Sequence, residues 1–283
     1  MPIARIAVVG AGTMGHGIAQ VALQAGYAVT LCDSVPEVLE RGAALLRAGL
    51  ERTVEKGRMA PEDRDAALLR LATTTDTRAA AAGADLVIEA VPERMEIKRS
   101  VFVLLEEAAA PDAILASNTS SLSIAALAAD LRHPGRLLGM HFFNPVPVMA
   151  LLEIVVHRGT APDVLAAARQ AGERMGKTCI VVNDSPGFAS SRLGVALGLE
   201  AMRMVEEGVA SPADIDAAMV LGYRHPMGPL RLTDLVGLDV RLGIAEHLHL
   251  ALASETFRPP RILRDMVREG RLGKKSGRGF YEW

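Results

Sequence analysis

The sequence has 283 residues, of which 50% are hydrophobic, and its 31 Lys and Arg against 33 Asp and Glu give a formal net charge of −2. This length predicts two domains, and the near-neutral charge argues against a nucleic-acid-binding protein, whose surface would need to be basic. Gly, Pro or charged residues interrupt the apolar runs well before the roughly 18 residues that a membrane span requires, so we expect no membrane partner.

The start of the sequence and its two cysteines bear on where the protein works. Residues 1–10 enter a strand pattern at once, and we therefore expect no export signal. Cys32 and Cys179 are far apart and form no CxxC pair, which is typical of a reducing compartment. We expect a cytoplasmic protein whose domains need neither a disulfide nor a metal ion.

Short apolar runs of the kind that form buried strands recur in the first part of the chain. Amphipathic segments lie between most of them, and this alternation predicts a doubly wound α/β fold, with a parallel sheet covered by helices on both faces. The predicted strands are Ile3–Val9, Ala28–Leu31, Leu86–Ala90, Ile114–Ala116, Leu137–Met140, Leu151–Val156 and Cys179–Val182.

A glycine-rich loop, Gly10-Ala11-Gly12-Thr13-Met14-Gly15, follows the first predicted strand. The first glycine allows a tight turn, the second lets the backbone approach a pyrophosphate, and the third allows close packing of the next helix. The second predicted strand leads to Asp33, about 20 residues further on, where a carboxylate can accept hydrogen bonds from ribose hydroxyls and would repel a 2′-phosphate. The spacing predicts that NAD, rather than NADP, binds at Gly10, Gly12, Thr13, Met14, Gly15 and Asp33.

Polar residues follow two further predicted strands. Ser117-Asn118-Thr119-Ser120-Ser121 comes directly after Ile114–Ala116, and His141 and Asn144 come after Leu137–Met140. Because open α/β sheets bind ligands at the carboxyl ends of their strands, these side chains can reach one crevice. The serine-rich segment is also suited to cap a helix, and the two roles are compatible.

Glu153 is a lone carboxylate inside the apolar run Leu151–Val156. A buried carboxylate without a partner is unfavourable. An imidazole at His141 would resolve this, because one ring nitrogen can donate to the carboxylate while the other exchanges a proton. The spacing leaves two interpretations open, namely an acid/base pair or an edge-strand glutamate that faces water.

The pattern changes after Asn183-Asp184-Ser185-Pro186-Gly187, a turn-rich stretch that suits neither a strand nor a helix. We place the domain boundary here, with residues 1–183 in the first domain and 184–283 in the second. The second domain is predicted to be all-helical, with a capped helix start at Ser211-Pro212-Ala213-Asp214. One face of its first helix is predicted to carry Leu193, Leu197, Ala201 and Val205.

Six segments of the sequence form a specific set of motifs, and the set resembles the 3-hydroxyacyl-CoA dehydrogenase family, in its 3-hydroxybutyryl-CoA dehydrogenase-like branch, nearly end to end. The resemblance implies a Rossmann-type NAD-binding domain followed by an all-helical C-terminal domain. The segments are Gly10-Ala11-Gly12-Thr13-Met14-Gly15, Glu89-Ala90-Val91-Pro92-Glu93, Ser117-Asn118-Thr119-Ser120-Ser121, His141-Phe142-Phe143-Asn144-Pro145-Val146-Pro147, Pro226-Met227-Gly228-Pro229 and Gly277-Arg278-Gly279-Phe280-Tyr281.

The resemblance implies roles for individual residues. His141 would be the general base and Glu153 the residue that orients it, in agreement with the interpretation of the two as an acid/base pair. Ser120 and Asn144 would bind the reacting oxygen and the nicotinamide region. Contacts to the nicotinamide half of NAD are implied for Glu93, Lys98 and Lys275, although both lysines, judged by residue type alone, would be solvated charges.

The resemblance also implies a coenzyme A site. Family members have a helical excursion that binds this moiety, and residues 41–70 are similar to it. Lys56 would pair with CoA phosphates from a patch that includes Arg52 and Arg58, and an exposed helix end is the alternative. Ser191 stands where the family usually has Asn, which leaves substrate contact at this position and the acyl-chain preference open.

The implied reaction is the NAD-dependent oxidation of (S)-3-hydroxyacyl-CoA to 3-ketoacyl-CoA, and its reverse, with short chains such as 3-hydroxybutyryl-CoA preferred. The resemblance further implies a homodimer formed through the C-terminal domain. Fatty-acid oxidation, aromatic-compound degradation and butyrate-type synthesis all remain open as pathways. Two alternatives are a hydroxy-acid or sugar-acid dehydrogenase similar to gulonate dehydrogenase and lambda-crystallin, and a non-catalytic NAD-binding protein.

Overall fold

The structure, a computed structural model, describes residues 2–283. The chain divides into two compact units, Met1–Asp184 and Ser185–Trp283, one residue beyond the boundary that the turn-rich stretch predicts. Each unit contains a hydrophobic core of its own. Within the described residues, no helix combines the length and the apolar character that crossing a bilayer requires.

An eight-stranded sheet forms the centre of the first unit. Its strands are β1 (Arg5–Val9), β2 (Ala28–Cys32), β3 (Leu71–Thr74), β4 (Leu86–Glu89), β5 (Ile114–Ser117), β6 (Leu137–Phe142), β7 (Leu151–Val156) and β8 (Thr178–Asn183). They run in the order β3-β2-β1-β4-β5-β6-β7-β8, which confirms the predicted Rossmann-type doubly wound fold.

The pairing of β6 with β7 is antiparallel, whereas the other neighbouring pairs are parallel. The link between β6 and β7, residues 143–150, is shorter than the dozen or so residues that a parallel crossover needs. The chain therefore turns back on itself here. The predicted parallel sheet is wrong at this pair, and the turn places the start of β7 beside the carboxyl end of β6.

The sequence pattern does not predict β3. Its four residues, Leu71-Ala72-Thr73-Thr74, form no apolar run, and each of them is partly or fully exposed. β3 lies at the edge of the sheet and pairs with β2. A strand in that position needs no continuous apolar sequence, since it is covered on fewer sides than a central strand.

Seven helices cover the sheet in the described part of the first unit. The helical excursion predicted over residues 41–70 is present as α2 and α3, and Pro36 opens α2 at a position that favours proline. The helices are α1 (Gly15–Gln24), α2 (Pro36–Glu55), α3 (Pro61–Leu68), α4 (Thr77–Ala82), α5 (Met95–Ala108), α6 (Ile124–Ala128) and α7 (Pro162–Arg174).

The second unit is helical, as predicted. Ser211 caps its second helix by accepting a hydrogen bond from the Asp214 amide. The predicted core face of the first helix is wrong at Leu193, which is 72% exposed, because Val195, Leu199 and Met202 form the buried face instead. The helices are α8 (Ser190–Glu206), α9 (Pro212–Ala217), α10 (Pro229–Val236), α11 (Leu238–Leu252) and α12 (Arg261–Arg268).

Candidate active site

A groove of about 540 Å³ follows the glycine-rich loop at the N-terminus of α1. Gly10 has a φ of 103°, and a Cβ at this residue would lie 2.5 Å from the Ala90 carbonyl oxygen, so the turn requires glycine. At Gly12 an added Cβ would meet no protein atom within 4 Å and would occupy the groove itself. Thr13 and Met14 also line this groove. The open backbone at a helix N-terminus fits a pyrophosphate.

Asp33 lines the same groove, just beyond the carboxyl end of β2. Its Oδ2 accepts a hydrogen bond from the Ala11 amide at 2.9 Å, and its Oδ1 accepts one from the Val35 amide at 3.0 Å. Each carboxylate oxygen can accept a second hydrogen bond, and ribose hydroxyls are suitable donors. The Asp33 carboxylate therefore fits the ribose hydroxyls of NAD and would repel the 2′-phosphate of NADP.

A second cavity, of about 370 Å³, lies at the carboxyl ends of β4, β5 and β6. Met14 and Val91 line both cavities, so the two adjoin. The wall of the second cavity brings together six of the predicted site residues, namely Met14, Glu93, Lys98, Ser120, His141 and Asn144.

His141 and Glu153 face each other across the antiparallel pair β6 and β7, where they are register partners. His141 Nδ1 lies 2.8 Å from Glu153 Oε2, and the two side chains are 8% and 0% exposed. Glu153 is therefore not a water-facing edge residue. A carboxylate in this position orients the imidazole, favours the tautomer with a proton on Nδ1, and stabilises the imidazolium ion.

Glu93 holds the polar segment that follows β5. Its Oε1 accepts hydrogen bonds from Thr119 Oγ1 at 2.5 Å and from the Ser120 amide at 2.9 Å, and its Oε2 lies 3.2 Å from Lys98 Nζ. Burial raises the pKa of Glu93, but Lys98 and the two hydrogen bonds outweigh burial and hold the pKa below its usual range. Glu93 is consequently an anion in the wall of the cavity at neutral pH.

Lys98 is not the solvated charge that its residue type suggests. Its side chain is 1% exposed, and its ammonium group lies 2.6 Å from Oε1 of Glu89, which is fully buried. The pKa of Glu89 is raised overall, because burial outweighs the lowering effect of Lys98 and of the hydrogen bonds from Ser117 and Val91. The pair connects the end of β4 to α5 underneath the cavity wall.

The remaining predicted ligand residues lie elsewhere in the two units. Lys56 is exposed at the C-terminal end of α2 in the first unit and lines neither cavity. Ser191 is in the first turn of α8, and Lys275 lies in a short turn of the second unit, where its Nζ donates to Asp239 Oδ2 at 2.6 Å.

Sequence reasoning did not select Glu89 and Ser117 as site residues. They are register partners on β4 and β5, and Ser117 Oγ donates to Glu89 Oε2 at 2.6 Å. A usable signal was present, because Glu89 is a carboxylate at the end of the apolar run Leu86–Ala90, and the argument that singled out Glu153 applies to it as well.

Two family models match almost the whole chain. The model described as "3-hydroxyacyl-CoA dehydrogenase, NAD binding domain" matches residues 5–185. The model described as "3-hydroxyacyl-CoA dehydrogenase, C-terminal domain" matches residues 187–283. The two matches meet at the boundary between the two compact units.

Individual relatives cover the chain over its full length. A probable 3-hydroxybutyryl-CoA dehydrogenase of Bacillus subtilis is 46% identical over 283 residues, which are 100% of this chain and 98% of the relative. The 3-hydroxyadipyl-CoA dehydrogenase of Escherichia coli is 43% identical over 98% of this chain and 58% of its own length. The crystal structure of (S)-3-hydroxybutyryl-CoA dehydrogenase from Ralstonia eutropha has a TM-score of 0.96 at 39% identity, covering 100% of this chain and 99% of that one.

Proposed function

This chain belongs to the 3-hydroxyacyl-CoA dehydrogenase family, and we propose from this that it oxidises (S)-3-hydroxyacyl-CoA thioesters to 3-ketoacyl-CoA with NAD and catalyses the reverse reaction. The observation that carries the proposal is the buried His141–Glu153 pair in the wall of a cavity that adjoins the dinucleotide groove. An alcohol dehydrogenase needs a residue that transfers the hydroxyl proton and a cofactor that accepts the hydride, and an acid/base pair beside a dinucleotide site meets both requirements.

His141 handles the proton of the reaction. Its Nδ1 is engaged with Glu153, and in this proposal Nε2 exchanges the proton with the substrate's 3-hydroxyl group. The Glu153 carboxylate stabilises the imidazolium that forms when His141 accepts the proton, and the same residues run in reverse during reduction. When bound, NAD accepts the hydride from C3 of the substrate.

Four further side chains of the cavity wall have assigned roles. Ser120 and Asn144 provide hydrogen-bond donors for the reacting oxygen and the nicotinamide region. Glu93 fixes the Ser120 backbone and lies, with Lys98, at the nicotinamide end of the cofactor site. Lys275 of the second unit contacts the same half of NAD by resemblance to the family.

The substrate assignment rests on the relatives. Those named above act on 3-hydroxybutyryl-CoA or 3-hydroxyadipyl-CoA according to their names, and short acyl chains are accordingly the preferred substrates here. Lys56, exposed at the end of α2, pairs with CoA phosphates as a point charge. Ser191 contacts the substrate at the position where the family usually has Asn.

The working state is a homodimer formed through the second unit, in the cytoplasm. Large apolar side chains exposed on that unit support self-association, since Leu193, Leu221 and Leu250 are each at least 72% exposed. Cys32 and Cys179 are free thiols, which supports a reducing compartment. Analytical ultracentrifugation tests the dimer, and a monomer at micromolar concentration contradicts it.

Steady-state oxidation of NADH with acetoacetyl-CoA, longer 3-ketoacyl-CoAs and 3-ketoadipyl-CoA tests cofactor, substrate class and chain length together. His141→Gln should lower kcat by about 10² to 10⁴ while the Kd of NADH stays nearly unchanged, because general acid/base catalysis is worth that much. His157→Gln, at the other end of β7, is the matched control and should keep activity. Gulonate-dependent reduction of NAD without activity on acetoacetyl-CoA would contradict the proposal.

A further inference from the structure

Three charged side chains form a compact group at the carboxyl end of β4, here called the β4–α5 cluster: Glu89, Glu93 and Lys98. Glu89 and Lys98 are 0% and 1% exposed, and Glu93 is 38% exposed. Both carboxylates lie within 3.2 Å of the same ammonium group. Two anions around one cation leave the ionised cluster with one net negative charge.

The ammonium group of Lys98 is satisfied inside the protein. It has three N–H donors, and three acceptors surround it, namely Glu89 Oε1 at 2.6 Å, the Val91 carbonyl oxygen at 3.2 Å and Glu93 Oε2 at 3.2 Å. Lys98 therefore acts here as the internal counter-charge of two carboxylates. A ligand would have to displace one of these acceptors to receive a hydrogen bond from it.

The contacts of Glu89 stabilise it as a carboxylate against the effect of burial. Lys98 Nζ, the Val91 amide and Ser117 Oγ donate to its two oxygens at 2.6, 2.7 and 2.6 Å. Ser117 Oγ itself accepts from the Thr119 amide at 3.3 Å, which leaves its proton available to Glu89. The Lys98 ammonium group and the Val91 amide can only donate, and a protonated Glu89 would lose its ion pair with Lys98.

The cluster borders the cavity in which the chemistry is proposed to occur. Glu93 and Lys98 line that cavity together with His141, whereas Glu89 lies behind them. A nicotinamide ring is a cation when oxidised and neutral when reduced. A fixed net negative charge beside the ring attracts the oxidised form and has little effect on the reduced form.

We propose that the β4–α5 cluster strengthens the binding of NAD⁺ relative to that of NADH, because it places one net negative charge beside the nicotinamide ring. Glu89 is the positioning residue: it holds Lys98 in place and supplies one of the two negative charges. The proposal rests on the proposed function, since it takes NAD as the cofactor. Two unit charges about 12 Å apart in an effective dielectric of about 20 change an equilibrium by about tenfold, which sets the size of the expected effect.

The test measures the Kd values of NAD⁺ and NADH in the absence of substrate, for wild type and Glu89→Gln, by calorimetry or fluorescence titration. Glu89→Gln keeps the shape of the side chain and brings the cluster to zero net charge. It should raise the ratio of the NAD⁺ Kd to the NADH Kd by about tenfold. Glu106→Gln is the matched control, because it removes a buried carboxylate about 12 Å further along the same helix than Lys98. It should change the ratio by no more than about threefold, because doubling a separation of about 12 Å halves the interaction energy.

Other results overturn the proposal. An equal loss of affinity for both nucleotides in Glu89→Gln would show a structural role only, and an unchanged ratio would show that the charge has no effect. If Glu89→Gln does not fold, Glu93→Gln removes one negative charge of the cluster at the cavity wall and must also raise the ratio. Failure of the wild type to bind either nucleotide would instead contradict the proposed function itself.

Discussion

Each unit of the chain buries at least one cation, and two of them, Lys98 and Arg241, lie in different surroundings. Lys98 in the first unit is 1% exposed and Arg241 in the second is 7% exposed. Two carboxylates lie within 3.2 Å of the Lys98 ammonium group. The Nε of Arg241 finds no hydrogen-bond partner within residues 2–283, and burial, with no carboxylate opposing it, lowers the pKa of Arg241 to about 10.

The difference shows that burial of a charge does not by itself indicate a functional site. A lowered pKa means that the folded chain holds the Arg241 proton less tightly than the unfolded chain does. Charged Arg241 therefore opposes folding at every pH below about 10, by an amount on the order of 3 kcal/mol, and the penalty shrinks as the pH rises further. At Lys98 the two carboxylates offset such a penalty, and one of them, Glu93, also lines the cavity.

Replacing Lys98 with Met should destabilise the protein more than any other variant considered below. Glu89 would be left as a fully buried carboxylate without a cation, and removing one partner of a buried ion pair costs about 3–5 kcal/mol. We expect a loss of that size in the free energy of unfolding, measured with urea at pH 7.

The double variant Lys98→Met/Glu89→Gln separates charge from shape. It removes both members of the buried pair and should recover most of the stability, since two neutral side chains of similar volume replace the ions. A double variant as unstable as Lys98→Met would show that packing of the lysine stem, rather than charge compensation, stabilises this region.

Asp234 extends the comparison to a buried anion of the second unit. It is fully buried and accepts hydrogen bonds from the Phe280 amide, the Tyr281 amide and Trp283 Nε1, each at 2.9 Å. Asp234→Ala should cost about 3 kcal/mol, because three donors lose a charged acceptor. The chain has a single Trp, so its fluorescence should report release of the C-terminal segment.

Asp234→Asn is the matched control for this variant, since it keeps one acceptor oxygen in place. It should lose less stability than Asp234→Ala and should shift the tryptophan fluorescence less. Equal losses in the two variants would mean that charge, rather than the number of acceptors, holds the C-terminal segment.

Arg241→Met should have the opposite sign from Lys98→Met. Removing a buried guanidinium group with an unsatisfied Nε relieves the penalty described above, and we expect the free energy of unfolding to rise by about 2 kcal/mol. Urea denaturation at several protein concentrations measures this. A loss of stability would show that Arg241 has an acidic partner in the proposed dimer.

The sequence predicts the sheet and the His141–Glu153 pair for the same reason. Apolar runs mark buried strands, and a carboxylate inside such a run needs a partner. The same runs therefore indicate both the strands of the sheet and the carboxylate, Glu153, that has to be paired. The pattern does not report strand direction, but the short link 143–150 does, and it requires the antiparallel turn that brings Glu153 beside His141.

Other features depend on contacts that no local pattern contains. Lys98 lies on an amphipathic helix, where a charge is expected to face water. It is buried because Glu89, nine residues earlier at the end of β4, accepts a hydrogen bond from its ammonium group. β3 is missed because its edge position removes the need for an apolar run. Leu193 is placed on the wrong face because apolar residues occur on more than one side of α8, and periodicity alone does not choose between them.

Arg169 provides the exposed case against which both buried cations can be judged. On α7 it pairs with Glu173 at 2.8 Å, and the two side chains are 55% and 52% exposed. A double-mutant cycle of Arg169→Ala and Glu173→Ala should give a coupling energy of only about 0.3–0.5 kcal/mol. Water screens the pair, and its Arg-to-Glu direction is unfavourable with respect to the helix dipole. The coupling should vanish at about 1 M salt, where the Debye length is about 3 Å. If the coupling is instead independent of salt and as large as that between Lys98 and Glu89, burial does not set the strength of ion pairs in this protein. The difference in stability effects between Lys98 and Arg241 would then need another cause.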